Sequence, residues 1–512
     1  MERLKNLLVP MCSLILLAVL GSSRKSVLAR TDSIDSSAVD GYVSARMHSA
    51  RIPGVALAIV RGDEIVYLKG YGRADPSGRP VTPQTPFLIG SITKPFTALA
   101  VMQLVEAGKV ELDAPVQRYI HWFRVADPQA SARITVCQLL TMTSGLPQVY
   151  ETQLWTDQDD GALERTVRLL ETKELSRPVG DSFGYSNANY ETLGLIVQEV
   201  SGQSYEEYVK QHIFAPLDMR NSFVSQHEAL RHGMASGHRW WFGIPIPVSV
   251  PYRRAELPAG YIISSAEDMA HFLVAQLNAG RYGDTSILSP DGMAFTHSEP
   301  PPKSYGVGWE STRVNGRRLI SHDGGTSNFQ ASLFFDPEAR VGVFIAANVV
   351  SALDTFSSPS GASPLDGPTV RAMAQSVLSI ATNQPLPSPG PGHERLTLIF
   401  NLVILALTGV LVMSLARIPG RYRRLARRGT ASRSTLRWHI VRIALLHFAL
   451  PIAILYLALG VPIWKVIAEF QPDLAYWLYA AAIVLFLAGL VETALLRKVF
   501  RRTPEPQLLQ PG

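Results

Sequence analysis

Ser91 and Lys94 stand three positions apart in "IGSITKPF" (89–96), directly behind a glycine. On a helix that spacing stacks a hydroxyl and an amine on one face. A serine hydroxyl becomes an effective nucleophile once a neighbour takes its proton. A lysine amine can take it where burial or nearby positive charge lowers its pKa from ~10.4. A serine opening a helix also has its own N–H and the positive helix end at hand to stabilise an oxyanion. The alternative is an N-capping serine beside an exposed lysine. Ser22 and Lys25 repeat the spacing in the N-terminal leader, where no chemistry is expected.

Two further stretches could complete such a site. "PVGDSFGYSNANYETLGLIVQEVSG" (178–202) places Tyr185, Ser186 and Asn187 in a Gly/Asn-rich loop before a helix. A phenol beside an amine can relay a proton to a leaving group, and an amide two residues on can hold the lysine in place. "LISHDGGTSNFQASLFF" (319–335) is a glycine-rich strand edge with His322, Gly324 and Gly325, suited to facing substrate and supplying a second oxyanion donor. The plainer readings are a loop with an asparagine N-cap and a β-turn with a surface histidine.

The elements that must carry these residues read as one mixed unit over 30–383. "GVALAIV" (54–60) and "IVYLKGYG" (65–72) around "RGDE" form a β-hairpin pattern. Helical periodicity runs over 97–106, 188–200, 205–214 and, behind an N-capping Ser265, 266–277, with a last helix over 370–380. Strands are expected at "SYGVGW" (304–309), "NFQASLFFD" (328–336) and "VGVFIAANV" (341–349). Strands at both ends with helices between imply a sheet assembled from distant parts of the chain.

The composition then changes. "NQPLPSPGPGHE" (383–394) marks a Pro/Gly linker, taken as 384–395, ahead of three apolar stretches, 396–415, 443–464 and 474–496, each of the ~20 residues a bilayer span needs. Residues 416–442 carry nine arginines and no acidic residue, and the tail "RKVFRR" is again basic, which places both in the cytoplasm. Three spans then leave 30–395 outside, where an N-terminal signal peptide (1–29) would also deliver them. Glu492 and His447 lie near span ends and are expected to snorkel to the interface. The net charge of +6 reflects the two ends; the middle is mildly acidic and has no basic cluster that would mark a nucleic-acid partner. Of the two cysteines, Cys12 lies in the leader and Cys137 in apolar "ITVCQLL", so neither a metal-ligand pattern nor an internal disulfide is expected in the mature chain.

Taken in order, these segments resemble the serine β-lactamase and penicillin-binding-protein superfamily, most closely the class C β-lactamase-related hydrolases and D-Ala-D-Ala carboxypeptidases. The S-x-x-K signature is a known catalytic motif. The likeness extends through "FLIGSITKPFTALAVMQLVEAGKVELDAPV" (87–116), "ITVCQLLTMTSGLP" (134–147), "IFAPLDMRNS" (213–222) and "PAGYIISSAEDMAHFL" (258–273), covering roughly 40–380. It implies an α+β sandwich, an antiparallel sheet flanked by helices, and no cofactor or metal. It implies Ser91 as the acylated nucleophile, Lys94 as its activator and Tyr185 as general acid/base. Asn187 would orient lysine and substrate, and the N–H groups of Ser91 and Gly325 would form the oxyanion hole beside Gly324. His322 falls where β-lactamases have the lysine of K-T-G, and a histidine carries charge only partly near neutral pH. An esterase or peptidase/amidase is therefore expected over a strong β-lactamase, acting on a small peptide, ester or cell-wall-derived substrate. A catalytically silent ligand-binding or sensing module is the alternative. "HRWWFGIPIPVSVPYRR" (238–254) is expected to border the cleft, rest on the membrane surface or pack as a plain surface loop.

Overall fold

The computed structural model describes residues 34–149, 157–298, 305–314, 316–350, 368–387, 393–427, 433–460, 464, 468–469 and 471–501. The expected signal peptide (1–29), the middle of the linker, part of the Arg-rich loop and the end of the basic tail lie outside the described residues.

Helix α1 (Ser36–Ser49) leads into the hairpin of β1 (Gly54–Arg61) and β2 (Glu64–Gly72). Arg61 pairs with Glu64 across a two-residue turn that Gly62 opens at φ +62°. Between this hairpin and the remaining strands come the buried α2 (Thr93–Glu106), α3 (Asn187–Ser201) and α4 (Ala266–Leu277). Gly202 ends α3 in the left-handed conformation, and the Ser265 hydroxyl caps α4 by accepting from Asp268 N at 3.1 Å. Then follow β3 (Glu310–Val314), β4 (Arg317–Gly325), β5 (Gln330–Asp336) and β6 (Val341–Ala347), and helix α5 (Pro368–Ala381).

The six strands form one sheet in the order β2-β1-β6-β5-β4-β3, with every pair antiparallel. Within this sheet the first strand in chain order joins the last, from Val55 opposite Ala347 to Arg61 opposite Val341. β1 is apolar from Gly54 to Val60 because both of its faces are covered there. Val55, Leu57 and Ile59 pack with Val39, Val43, Met373 and Val377 of α1 and α5. Ala56, Ala58 and Val60 belong to the larger core with Phe272 and Leu273 of α4. The period-two alternation thus divides the strand between two cores rather than between core and water. The result is the expected β-lactamase/transpeptidase-like sandwich.

Two expected elements differ. Ser304 of "SYGVGW" lies outside the described residues, and 305–309 form a turn rather than a strand: Gly306 N donates to Trp309 O at 2.7 Å, and Gly308 turns at φ +85° close against Ala98 of α2. Ladder pairing starts only at Glu310. The helix over 205–214 is α-helical from Tyr205 to Val209 and π-helical over Lys210–Phe214.

Beyond the sandwich, α6 is His393–Arg427, α7 runs through Arg433–Ile443, a π-helical Ala444–Ala449 and Leu450–Gly460, and α8 is Pro472–Arg501. Each holds a stretch long and apolar enough to cross a membrane, at Arg395–Arg427, Ser434–Leu457 and Pro472–Val499. The helices overrun the expected spans into the arginine-rich segment. Glu492 does not snorkel. It is fully buried, and Arg442, Arg421 (3.5 Å) and Tyr422 (3.3 Å) reach in to bind its carboxylate. His447 is buried with it, its Nδ1 at 3.0 Å from Leu485 O. An uncompensated carboxylate at this depth would be costly, so the arginines come to the acid.

Candidate active site

Ser91 lies in the 3-10 turn Gly90–Ile92 that leads into α2, and Lys94 falls in the first turn of that helix, where Pro95 costs no hydrogen bond. Gly90 takes φ +56°. This turn meets the glycine-rich end of β4 at backbone distance. A Cβ on Gly324 would sit 1.9 Å from Ile89 O and 3.0 Å from Ser91 N, and one on Gly90 would sit 2.5 Å from Gly325 N. Only glycine fits at these two positions, and their absence of side chains brings the Ser91 and Gly325 amides together.

Lys94 is fully buried, and its amine has three near partners. Nζ lies 3.0 Å from Ser91 Oγ, 2.8 Å from Asn187 Oδ1 and 2.7 Å from the carbonyl of Ala259. Two of these can only accept. A neutral amine therefore donates to Asn187 and Ala259 and turns its lone pair to the serine hydroxyl, while an ammonium would donate to all three. The Tyr185 hydroxyl donates to Ser91 Oγ at 2.7 Å, and its ring lies 4.8 Å from Lys94 Nζ. The structure thus brings Ser91, Lys94, Tyr185 and Asn187 to one point.

The loop carrying Tyr185 is held by the segment at 142–148. Gly184 N donates to Met142 O (2.9 Å), Ser186 Oγ to Pro147 O (2.9 Å), and Asn187 N to Gln148 Oε1 (2.8 Å). Ser144 Oγ bonds Asn189 Oδ1 at 2.5 Å and ties that segment to the first turn of α3.

His322 is buried at 1 % exposure rather than on the surface. Its Nε2 lies 3.0 Å from Tyr305 Oη and its Nδ1 2.6 Å from Asp323 O. Burial first, then the Lys94 charge, push its pKa down from 6.5 to about 3. The next residue, Asp323, alternates to the other side of the sheet, where Arg371 of α5 pairs with it and with Glu310 (3.2 Å). Folding keeps His322 neutral where an unfolded histidine would protonate. Its contribution is complete above pH 6.5 and is lost as the pH falls from there toward 3, because the unfolded chain binds the extra proton. Urea titrations of His322→Gln are expected to show a shallower loss of stability over that interval, by up to about 1.4 kcal/mol per pH unit. Equal slopes in variant and parent would mean that the histidine is protonated in the folded chain.

Three groups here were not singled out from the sequence. Ala259 acts through a backbone carbonyl, which no residue pattern reveals. Glu191 is buried and Glu256 is mostly shielded from solvent, and the Lys94 charge acts on both carboxylates. Burial first, then Glu256, raise Glu191 to about 8 against the pull of Lys94, and Glu256 is raised chiefly by burial. Glu191 had a readable signal, since it lies one helical turn beyond Asn187 in an otherwise apolar face.

A family model described as Beta-lactamase matches residues 39–357. Protein flp of Staphylococcus aureus strain MW2 is 29% identical over 315 residues, which covers 61% of this chain and 63% of that protein, somewhat under two thirds of its length. Protein flp of strain MRSA252 aligns over 462 residues at 27% identity and 88% of each chain. Penicillin-binding protein 4 of Amycolatopsis lactamdurans is 30% identical over 319 residues, covering 60% of this chain and 83% of that one. Among solved structures, the octameric penicillin-binding protein homologue from Pyrococcus abyssi is 27% identical with a TM-score of 0.59, covering 70% of this chain and 80% of its own. The sandwich, the S-x-x-K turn and a family match across more than half of the residues agree, and the chain belongs to the beta-lactamase family, in the serine β-lactamase and penicillin-binding-protein superfamily.

Proposed function

We propose that the domain at 30–383 is a serine hydrolase working by an acyl-enzyme on the outer side of a membrane, with the three C-terminal spans as its anchor. One observation carries the reading: Ser91 Oγ lies within hydrogen-bond reach of both Lys94 Nζ (3.0 Å) and Tyr185 Oη (2.7 Å). Neutral Lys94 takes the Ser91 proton as Oγ bonds to the substrate carbonyl carbon. The oxyanion rests on the N–H groups of Ser91 and Gly325. Collapse breaks the bond to the leaving group, which receives its proton through Tyr185. A water molecule then attacks the acyl-serine, gives up its proton to the same pair of groups and releases the acid and free Ser91.

The substrates that fit are peptides, amides and esters, including cell-wall-derived peptides of the kind that the names of the penicillin-binding relatives suggest. His322, neutral near pH 7, offers no fixed charge to grip a substrate carboxylate, which favours ester or amide substrates over efficient β-lactam hydrolysis. The arginine-rich 416–442 and the basic tail put those parts inside and the domain outside. The experiment is to expose the full chain in membranes to a fluorescent phosphonate and a fluorescent penicillin and to map the modified residue. An adduct on Ser91, protected from an impermeant quencher only when membranes are inverted, is expected. Folded protein that no acylating or phosphonylating probe modifies would instead establish the silent binding module.

A further inference from the structure

Segment 238–260 joins the lysine site to the membrane helices. At one end, His238–Trp241 and Ile244–Pro247 pair as a hairpin whose tip is gripped by α6 and α8: Phe242 N donates to Asp473 Oδ2 (2.9 Å), Asn401 Nδ2 donates to Phe242 O (3.1 Å), and the Trp241 ring lies 5.6 Å from Tyr476. Farther along, Arg253 pairs with Glu469, in the connection between α7 and α8, at 2.6 Å, with side chains only 12% and 13% exposed. The same guanidinium lies 3.5 Å from Glu256. Three residues on, Ala259 supplies the carbonyl that accepts from Lys94 Nζ. A largely buried ion-pair relay therefore joins Glu469, Arg253 and Glu256, and the Lys94 charge acts on both Glu256 and Glu191.

We infer that Arg253 and Glu469 are positioning residues for Lys94, through which the connection between the second and third membrane helices sets the charge on Glu256 and, with it, the proton affinity of the lysine. This rests on the hydrolase reading. The groups facing Lys94 are Ser91, Tyr185, Tyr190, Glu191, Glu256 and His322. Those facing Glu256 are Arg253, Glu469, Tyr261, Glu191 and Lys94, and Arg239 lies near Glu469, Arg253 and Tyr261. After burial, which raises the Glu256 pKa, Arg253 lowers it and Glu469 raises it. The two partners therefore act on Glu256 with opposite signs.

Removing the Glu469 charge takes away a carboxylate that raises the Glu256 pKa and shifts Glu256 toward its ionised form. The added negative charge favours the ammonium form of Lys94. Removing Arg253 takes away the cation that lowers the Glu256 pKa, which shifts Glu256 toward its protonated form and favours the free amine. The connection thus lets the membrane region report on, and act upon, the site without touching substrate.

The test measures the rate of fluorophosphonate labelling of Ser91 in the full chain in lipid nanodiscs, from about pH 6 to about pH 10. Glu469→Gln is expected to move the acid limb up by about 0.5 unit, lowering labelling at pH 7 about threefold, and Arg253→Met to move it down by a similar amount. Glu469→Asp and Arg253→Lys keep the charges and are expected to keep the parent limb, which also covers the case in which a neutral variant folds poorly. A purely structural clasp would lower labelling in both neutral variants with the limb in place, and that result overturns the inference. A labelled parent with both limbs unmoved overturns it while leaving the hydrolase reading intact. A parent chain that is not labelled at Ser91 overturns the reading and this inference together.

Discussion

Ser91→Ala is expected to reduce acylation by every carbonyl or phosphonate probe to background, a loss of at least about 10³-fold, with the fold unchanged. In the proposed reaction the hydroxyl forms the covalent bond. Removing it takes one of three partners from Lys94 and leaves Asn187 Oδ1 and Ala259 O in place. Tyr185 loses one hydrogen bond, in a loop that is only half-buried. Denaturant unfolding should therefore change by no more than about 1 kcal/mol. Labelling that persists in the variant would place the nucleophile elsewhere. A variant that unfolds with the loss of labelling would make Ser91 a structural capping residue.

Lys94→Met should be nearly as severe for chemistry and more costly for the fold. Methionine keeps the length of the side chain but cannot take a proton, so the acylation rate is expected to fall by about 10²–10⁴-fold. The substitution also strands two acceptors, Asn187 Oδ1 and Ala259 O, at about 1–3 kcal/mol each if no water replaces the amine. It removes the positive charge that opposes the upward shift of Glu191, whose carboxyl would then titrate above its parent value of about 8. Stopped-flow labelling with equilibrium unfolding separates the effects. A lysine that only packs would reduce stability while leaving the rate per folded molecule near that of the parent.

Much of the site could be read before any fold was known, because its groups are local. Ser91 with Lys94, and Tyr185 with Asn187, each sit within one turn of a helix start, where spacing in sequence equals spacing in space. Gly324 and Gly325 announced a close backbone approach by lacking side chains. Other features could not be read this way. "SYGVGW" alternates like a strand, yet packing against α2 bends 305–309 into a turn. Trp240 and Trp241 stood among three possible settings, and only the contacts of the hairpin with Asn401, Asp473 and Tyr476 decided between them.

The residue order alone settled that a β-lactamase-like domain precedes three apolar helices, and which hydroxyl and amine stand together. The kind of domain came from its resemblance to the β-lactamase superfamily, whereas the apolar stretches and the Ser–Lys pair are matters of composition, periodicity and nearest neighbours. Tertiary structure decided the state of each buried charge. His322 is neutral because the core surrounds it, Glu492 is paired because three helices converge on it, and Lys94 faces Glu191, Glu256 and, beyond them, Arg253 and Glu469. Desolvation and Coulomb interaction depend on what lies within a few ångströms in every direction, and for these groups most of it comes from residues tens to hundreds of positions away.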